Sequence, residues 1–256
     1  KFSAISKEDK EFIEKAMKEY TFDEADRMSQ IVPILYKHPS LNKSKTGSKK
    51  GKKTKKHSDA DLSSEQELID SLEELQDLID IHPRNSTNLD NMGGIKILLD
   101  VMFNCKYESV RRSAMQVFST IVQNNKEMQE KAHKYGGLQL MHQYVKEKSE
   151  KNKQQVIAAF SSLIRTTHTA LKADFFTDMK GLDWIQQIIL DESASSKILK
   201  KVYFMLYDLI VKETDKSIDT VLYKENLIKD YIISQKSMIV RMLETLDYDK
   251  DPEDLY

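Results

Sequence analysis

Cysteine is nearly absent: the chain has one, Cys105, in 256 residues. That excludes an internal disulfide framework and metal sites built mainly from thiolates, and it points to a reducing compartment. Four prolines and seven glycines are too few for a turn-rich β fold. No apolar run approaches the roughly 20 residues that cross a bilayer as a helix. The formal net charge of −1 gives the whole molecule no obvious attraction for polyanions. The chain starts with Lys1 rather than Met, which implies an upstream piece. Glu, Lys, Leu, Gln, Met and Ala are plentiful instead, and these residues favour helix. With 39% hydrophobic residues the chain can bury a substantial core.

The scarce glycines are not scattered. Two pairs occur, in "DNMGGIKILLDVM" (90–102) and "HKYGGLQLMHQYV" (133–145), each just before a short apolar helical pattern. Gly94 and Gly137 are followed at a similar interval by Gly181, in "TDMKGLDWIQQII", and then by Asn226, in "LYKENLIKDYII". Asn is the next best residue at a left-handed backbone position. A period in the low forties belongs to armadillo and HEAT repeats. The four positions are then expected as sharp corners between the first and second helices of successive units.

A longer amphipathic stretch follows each second helix and tests this independently. With origins at Ser71, Ala114, Val156 and Val202, offsets +4, +7 and +8 read Leu75, Leu78, Ile79; Phe118, Ile121, Val122; Phe160, Leu163, Ile164; and Leu206, Leu209, Ile210. All are apolar, which is the stripe of a helix buried on one face. Offset +3 reads Glu74, Val117, Ala159 and Met205, so the first unit is the most polar, as a capping repeat should be. The expected fold is all-α: an armadillo-like helical repeat solenoid with an N-terminal helical segment.

Four regions are expected. Residues 1–37 form the N-terminal helical segment, with capping boxes at Ser6–Asp9 and Thr21–Glu24. Phe12, Ile13, Ala16, Met17 and Tyr20, then Phe22, Ala25, Met28, Val32 and Leu35, give it two amphipathic helices in need of a partner surface. Residues 38–62 form a basic linker, whose "NKSKTGSKKGKKTKKHSD" stretch has many lysines and no acid before Asp59. Such a block repels itself and buries nothing. It interleaves no aromatic residue for base stacking, so nucleic acid is not an expected partner. Residues 63–247 form the repeat domain of about four units, and residues 248–256 an acidic tail.

Enzyme chemistry is not expected. "GSKKGKKT" has the wrong glycine spacing for a phosphate loop and no preceding strand. "DYDKD" opens like a calcium loop but places Pro252 where glycine is needed. His38, His57, His82, His133, His142 and His168 show no metal-ligand spacing; His133 and His142 are expected on helix surfaces. Trp184 and the methionines suit core filling, and Cys105 a core or boundary position. No metal or cofactor is expected. Two sequons, at Asn42 and Asn85, matter only in a secretory compartment.

A solenoid without an active site binds through its concave face. Offsets +2, +6 and +9 lie opposite the buried stripe and read Glu73, Asp77, Asp80; Gln116, Thr120, Gln123; Ala158, Ser162, Arg165; and Phe204, Asp208, Val211. The first unit of this face is acidic and the middle neutral to basic. The Trp and Asn ladder of an importin-like peptide groove is missing.

Several phrases resemble one family. "STIVQNN" (119–125) continuing into "KEMQEKAHKYGGLQLM", and "AFSSLIR" (159–165) before "FFTDMKGLDWI", are similar to the second and third units of the armadillo-type nucleotide exchange factors of seventy-kilodalton heat-shock chaperones. "SLEELQDLID" (71–80) with "NLDNMGGIKILL" resembles the first unit, and residues 6–31 the helices preceding the repeats in the cytosolic, Fes-type members. "LYDLIV" (206–211) also resembles the lumenal, Sil-type branch. The departures are the lysine-rich linker, the "IHPRNSTNLDN" turn with Pro83, and the missing glycine of the fourth unit. The resemblance implies a non-enzymatic, cytoplasmic, monomeric co-chaperone that embraces one lobe of the chaperone's nucleotide-binding domain and promotes ADP release. The contacts expected are Glu73, Asp77, Asp80, Gln116, Thr120, Gln123, Asn124, Ser162, Arg165 and Asp208. The alternatives are an armadillo scaffold without exchange activity, or a lumenal exchange factor.

Overall fold

The computed structural model describes residues 6–8, 10–12, 23–37, 63–165, 169–176, 178–211 and 235–247. The residues from Ile13 to Phe22, the linker 38–62, the corner at Asn226, the tail 248–256 and the side chains of Ile210 and Val211 lie outside these. Helix is the only regular structure among the described residues. The helices are α1 (Glu24–Tyr36), α2 (Glu65–Ile81), α3 (Asn85–Asn91), α4 (Gly94–Asn104), α5 (Glu108–Val122), α6 (Lys126–Lys134), α7 (Leu140–Lys146, after a 3-10 turn at Gly137–Gln139), α8 (Glu150–Ile164), α9 (Thr169–Phe176), α10 (Gly181–Leu190), α11 (Ser196–Val211) and α12 (Lys236–Asp247).

The repeat is a short helix, a second helix and a long third helix. The long helices α2, α5, α8 and α11 pack in a row, each against the next. α4, α7 and α10 each cover the long helix that follows them. The apolar stripe read from the sequence faces inward: every described member from Leu75 to Leu209 is buried, Phe118 and Phe160 completely. Aromatic rings join the third unit to its neighbours, with Phe160 5.2 Å from Phe175 and 5.0 Å from Trp184, and Tyr144 5.9 Å from Trp184.

The corners differ from expectation in an instructive way. The left-handed residue is the one before each counted glycine: Gly93 (φ 78°), Gly136 (φ 92°) and Lys180 (φ 51°). Gly94, Gly137 and Gly181 instead open the second helix and are needed for close approach. A Cβ on Gly94 would stand 2.3 Å from Leu89 Cδ1, one on Gly137 2.9 Å from the Ala132 carbonyl oxygen, and one on Gly181 2.3 Å from the Phe175 ring. The pairing of glycines is thus two separate requirements side by side, backbone sign and then van der Waals space.

At the N-terminal end α1 takes the place of a second helix. It packs on α2, α3 and α4 and buries Met28, Ile31, Val32 and Leu35. Asp23 caps α1, accepting from the N–H groups of Ala25 at 3.0 Å and Asp26 at 3.1 Å. Asp23 is thus the N-cap of α1, and Thr21, of the box expected at Thr21–Glu24, lies outside the described residues. A full capping box does occur on α2, where Ser64 Oγ accepts from Glu67 N at 3.1 Å and Ser64 N donates to Glu67 Oε2. The chain leaves α1 and re-enters at α2 at one point: Ser63 N donates to the Lys37 carbonyl and Ser63 Oγ to the Ile34 carbonyl, each at 3.3 Å.

Candidate functional site

The long helices run parallel and in register, because their side chains tie equivalent turns. At the N-terminal turns Ser109 Oγ donates to Glu65, Asn152 Nδ2 donates to the Glu108 carbonyl at 3.1 Å, and Ser195 hydrogen-bonds Glu150, holding its carboxyl below the usual range. Near the C-terminal turns Gln76 Nε2 donates to Thr120 Oγ1 at 2.7 Å, and Arg165 Nη1 to Asp208 Oδ2 at 2.5 Å. The short helices carry a second set of ties, Lys131 to Asp90 at 2.8 Å and His133 Nε2 to Asp174 Oδ2 at 2.6 Å. His133, expected on an open helix surface, is thus part of a joint between units.

One joint is dry. Glu147, 1% exposed, receives Arg111 through two hydrogen bonds of 2.9 Å, Asn152 at 3.0 Å and Gln143 at 2.6 Å. Burial alone would push its carboxyl up, but these donors outweigh burial and hold it below the ordinary glutamate value. Arg111 also donates to the Cys105 carbonyl at 2.8 Å. The Cys105 thiol is buried and pushed up by desolvation, which makes it inert.

Register puts the expected contact residues along one surface, but not all of them are open on it. Glu73, Asp77, Asp80, Gln116 and Gln123 are exposed, and Asp80 accepts from Gln76 at 2.9 Å. Thr120, Arg165 and Asp208 already bridge neighbouring units. Ser162 departs from the expectation: it is buried, 8% exposed, because α8 has a long helix on each flank. Asn124 sits at the corner after α5 in the left-handed region (φ 55°), and Asn125 then caps α6 by accepting from Met128 N at 3.2 Å. The "QNN" phrase is therefore a turn device, and Asn124 is exposed at the end of the surface.

The sequence reading missed two exposed side chains of this surface, Lys197 and Lys201. Both lie on the same helical face as Phe204, one and two turns earlier. Carrying the stripe back to offsets −1 and −5 would have found them. It also missed the buried ties of Gln129, which donates to the Ser162 carbonyl at 3.1 Å, and of Asn152. No periodicity marks those.

The surface offers charge, amide and ring faces, the materials of protein docking. Among the described residues no group of three or more His, Cys, Asp or Glu side chains is placed to share a metal ion. A shallow hollow of about 520 Å³ on α10 is lined by Asp183, Gln186, Gln187, Leu190 and Asp191. No helix among the described residues is long and apolar enough to cross a membrane.

Residues 85–246, more than half of the chain, match the SIL1/FES1/HPBP1 C-terminal domain. The chain belongs to that family. It is 29% identical over 178 residues to the Hsp70 nucleotide exchange factor FES1 of Saccharomyces cerevisiae, covering 68% of this chain and 59% of the yeast protein. The chain thus spans about three fifths of the curated relative it matches. A designed armadillo repeat protein superimposes with a TM-score of 0.52 at 16% identity, covering 85% of this chain and 87% of its own. That likeness establishes the armadillo-like fold, as the repeat period required. Membership places the "IVQNN" and "SSLIR" corners and both glycine pairs inside the matched domain.

Proposed function

We propose that the chain is a co-chaperone acting as a nucleotide exchange factor for an Hsp70 chaperone. The observation that supports this most is the alignment with the yeast exchange factor over most of the repeat array. In this reading the exposed face of α2, α5, α8 and α11 forms the concave side and grips one lobe of the nucleotide-binding domain. Glu73, Asp77, Asp80, Gln116, Gln123 and Asn124 make the contacts, and Thr120, Ser162, Arg165 and Asp208 hold the face in register behind them. The protein must bind the open lobes more tightly than the closed, ADP-holding ones, or it shifts nothing. Reciprocity then requires nucleotide to weaken the complex by the same factor. The chemistry belongs to the chaperone, and this chain acts by binding alone, as a cytosolic monomer.

The test is release of a fluorescent ADP analogue from an Hsp70 nucleotide-binding domain. The wild-type chain is expected to accelerate it, and Asp77→Lys with Gln116→Arg to abolish the acceleration without changing the melting temperature. No acceleration by the wild type across cytosolic Hsp70 proteins refutes the reading and leaves an armadillo scaffold. The lumenal alternative loses one of its sequons. Asn85 is 3% exposed and its Nδ2 donates to the Leu78 carbonyl at 2.7 Å and to Glu24 Oε2 at 2.6 Å, leaving no room for a glycan in the folded chain.

A further inference from the structure

The last long helix presents something the others do not. Phe204 and Tyr207, one turn apart on α11, are 70% and 60% exposed. Lys197 and Lys201 are exposed on the turns before them. At a spacing of 100° per residue, Lys197, Lys201 and Phe204 fall within one narrow sector opposite the buried stripe. Asp208, in the same sector, is neutralised by Arg165 at 2.5 Å. The α11 face is therefore basic and aromatic.

Equivalent rows on the other long helices change in steps. The row of Lys201 reads Asp70, Ser113, Gln155, Lys201, and the row of Phe204 reads Glu73, Gln116, Ala158, Phe204. The register bonds make these true rows in space rather than an alignment on paper. One end of the face is acidic and carries no ring; the other is basic and carries two. Packed helices stand about 8–10 Å apart, so three steps separate the ends by roughly 25–30 Å. That exceeds the Debye length of about 8 Å at physiological salt, and each end is felt by a partner as a separate patch.

We propose that the basic–aromatic face of α11 is the second anchor of the docking surface, and that it sets the direction in which the partner lies along the array. The occupant is the Hsp70 nucleotide-binding domain, so this inference rests on the exchange-factor reading. The occupant must carry an apolar spot rimmed by carboxylates where it meets Phe204 and Tyr207. About three helix spacings away it must carry a basic patch that meets Asp70, Glu73 and Asp77. The opposite charge of the two ends and the packing of α11 against α8 in the same row support one partner spanning both. Exposed aromatic side chains beside charged groups are the side chains that dominate binding energy when covered, whereas the charges act on encounter and orientation.

The experiment measures binding kinetics of the full chain with an Hsp70 nucleotide-binding domain across a salt series. Phe204→Ala with Tyr207→Ala is expected to weaken binding at least about tenfold, mainly through faster dissociation. Lys197→Glu with Lys201→Glu is expected to slow association and flatten its salt dependence. Lys134→Glu with Lys146→Glu makes the same charge change on exposed residues of α6 and α7, away from this face, and is expected to leave binding within about twofold. Unchanged melting temperatures will show that every variant folds, as the exposure of these residues leads one to expect. Binding by the wild type with the aromatic pair variant within twofold of it overturns the second anchor while leaving the exchange-factor reading intact. Failure of the wild type to bind overturns both.

Discussion

The joint between α5 and α8 and the joint between α1 and α2 serve the same purpose and are built from opposite materials. The interior joint buries Phe118 and Phe160 completely and adds a desolvated carboxylate–guanidinium pair. The end joint buries the smaller Met28, Ile31 and Leu35 and is tied by Arg27 to Glu74, whose side chains are 39% and 35% exposed. Arg27 Nη2 stands 2.6 Å from Glu74 Oε2, so the geometry of the two ion pairs is alike. Their surroundings differ, and surroundings decide what an ion pair contributes. An end unit has water on one side, and its polar ties are correspondingly weak and sensitive to salt.

That contrast orders the effects of mutation. The largest is expected from Phe160→Ala, about 3–5 kcal/mol by chemical denaturation, since the ring contacts both Phe175 and Trp184. Next comes Arg111→Met, about 3 kcal/mol, the low end for a broken buried pair because Asn152 and Gln143 still serve Glu147. The pH profile sharpens this. Glu147 has a folded pKa below its unfolded value, so its contribution is present above the unfolded value and lost as pH falls through the folded one. Wild type and Glu147→Gln are therefore expected to converge in stability toward low pH. Gly137→Ala should cost roughly 1–3 kcal/mol, as the Ala132 carbonyl and Leu163 must move. The smallest effect belongs to Arg27→Met, a shift in melting temperature close to measurement scatter and smaller still at high salt. Equal salt sensitivity of Arg27→Met and Arg111→Met would break the comparison.

The fold was legible because each long helix writes its burial into the chain every three or four residues. Leu75, Phe118, Phe160 and Leu206 occupy one offset in four units and one environment in space. The glycine pairs were legible in position but not in cause: sequence cannot separate a backbone that needs positive φ, as at Gly93, from one that needs room, as at Gly94. The candidate surface was legible only in outline. A helical wheel assumes one buried side opposite one open side. In a row, each interior helix also has flanks, and these bury Ser162 while the matching Asp77 on the end helix stays open. Thr120, Arg165 and Asp208 look like free surface on a wheel because their partners come from a neighbouring unit, 43 or 44 residues away. Asn85 read as a glycan acceptor because three letters of sequence do not report what its amide already holds.

The bond from Ser63 to Lys37 has a practical consequence. Where two chain ends are already pinned together, the stretch between them adds only a slowly growing ring entropy, about 0.6 kcal/mol for each doubling in length. Residues 38–62 can therefore be trimmed, extended or exchanged for a reporter or an affinity handle while α1 keeps its seat.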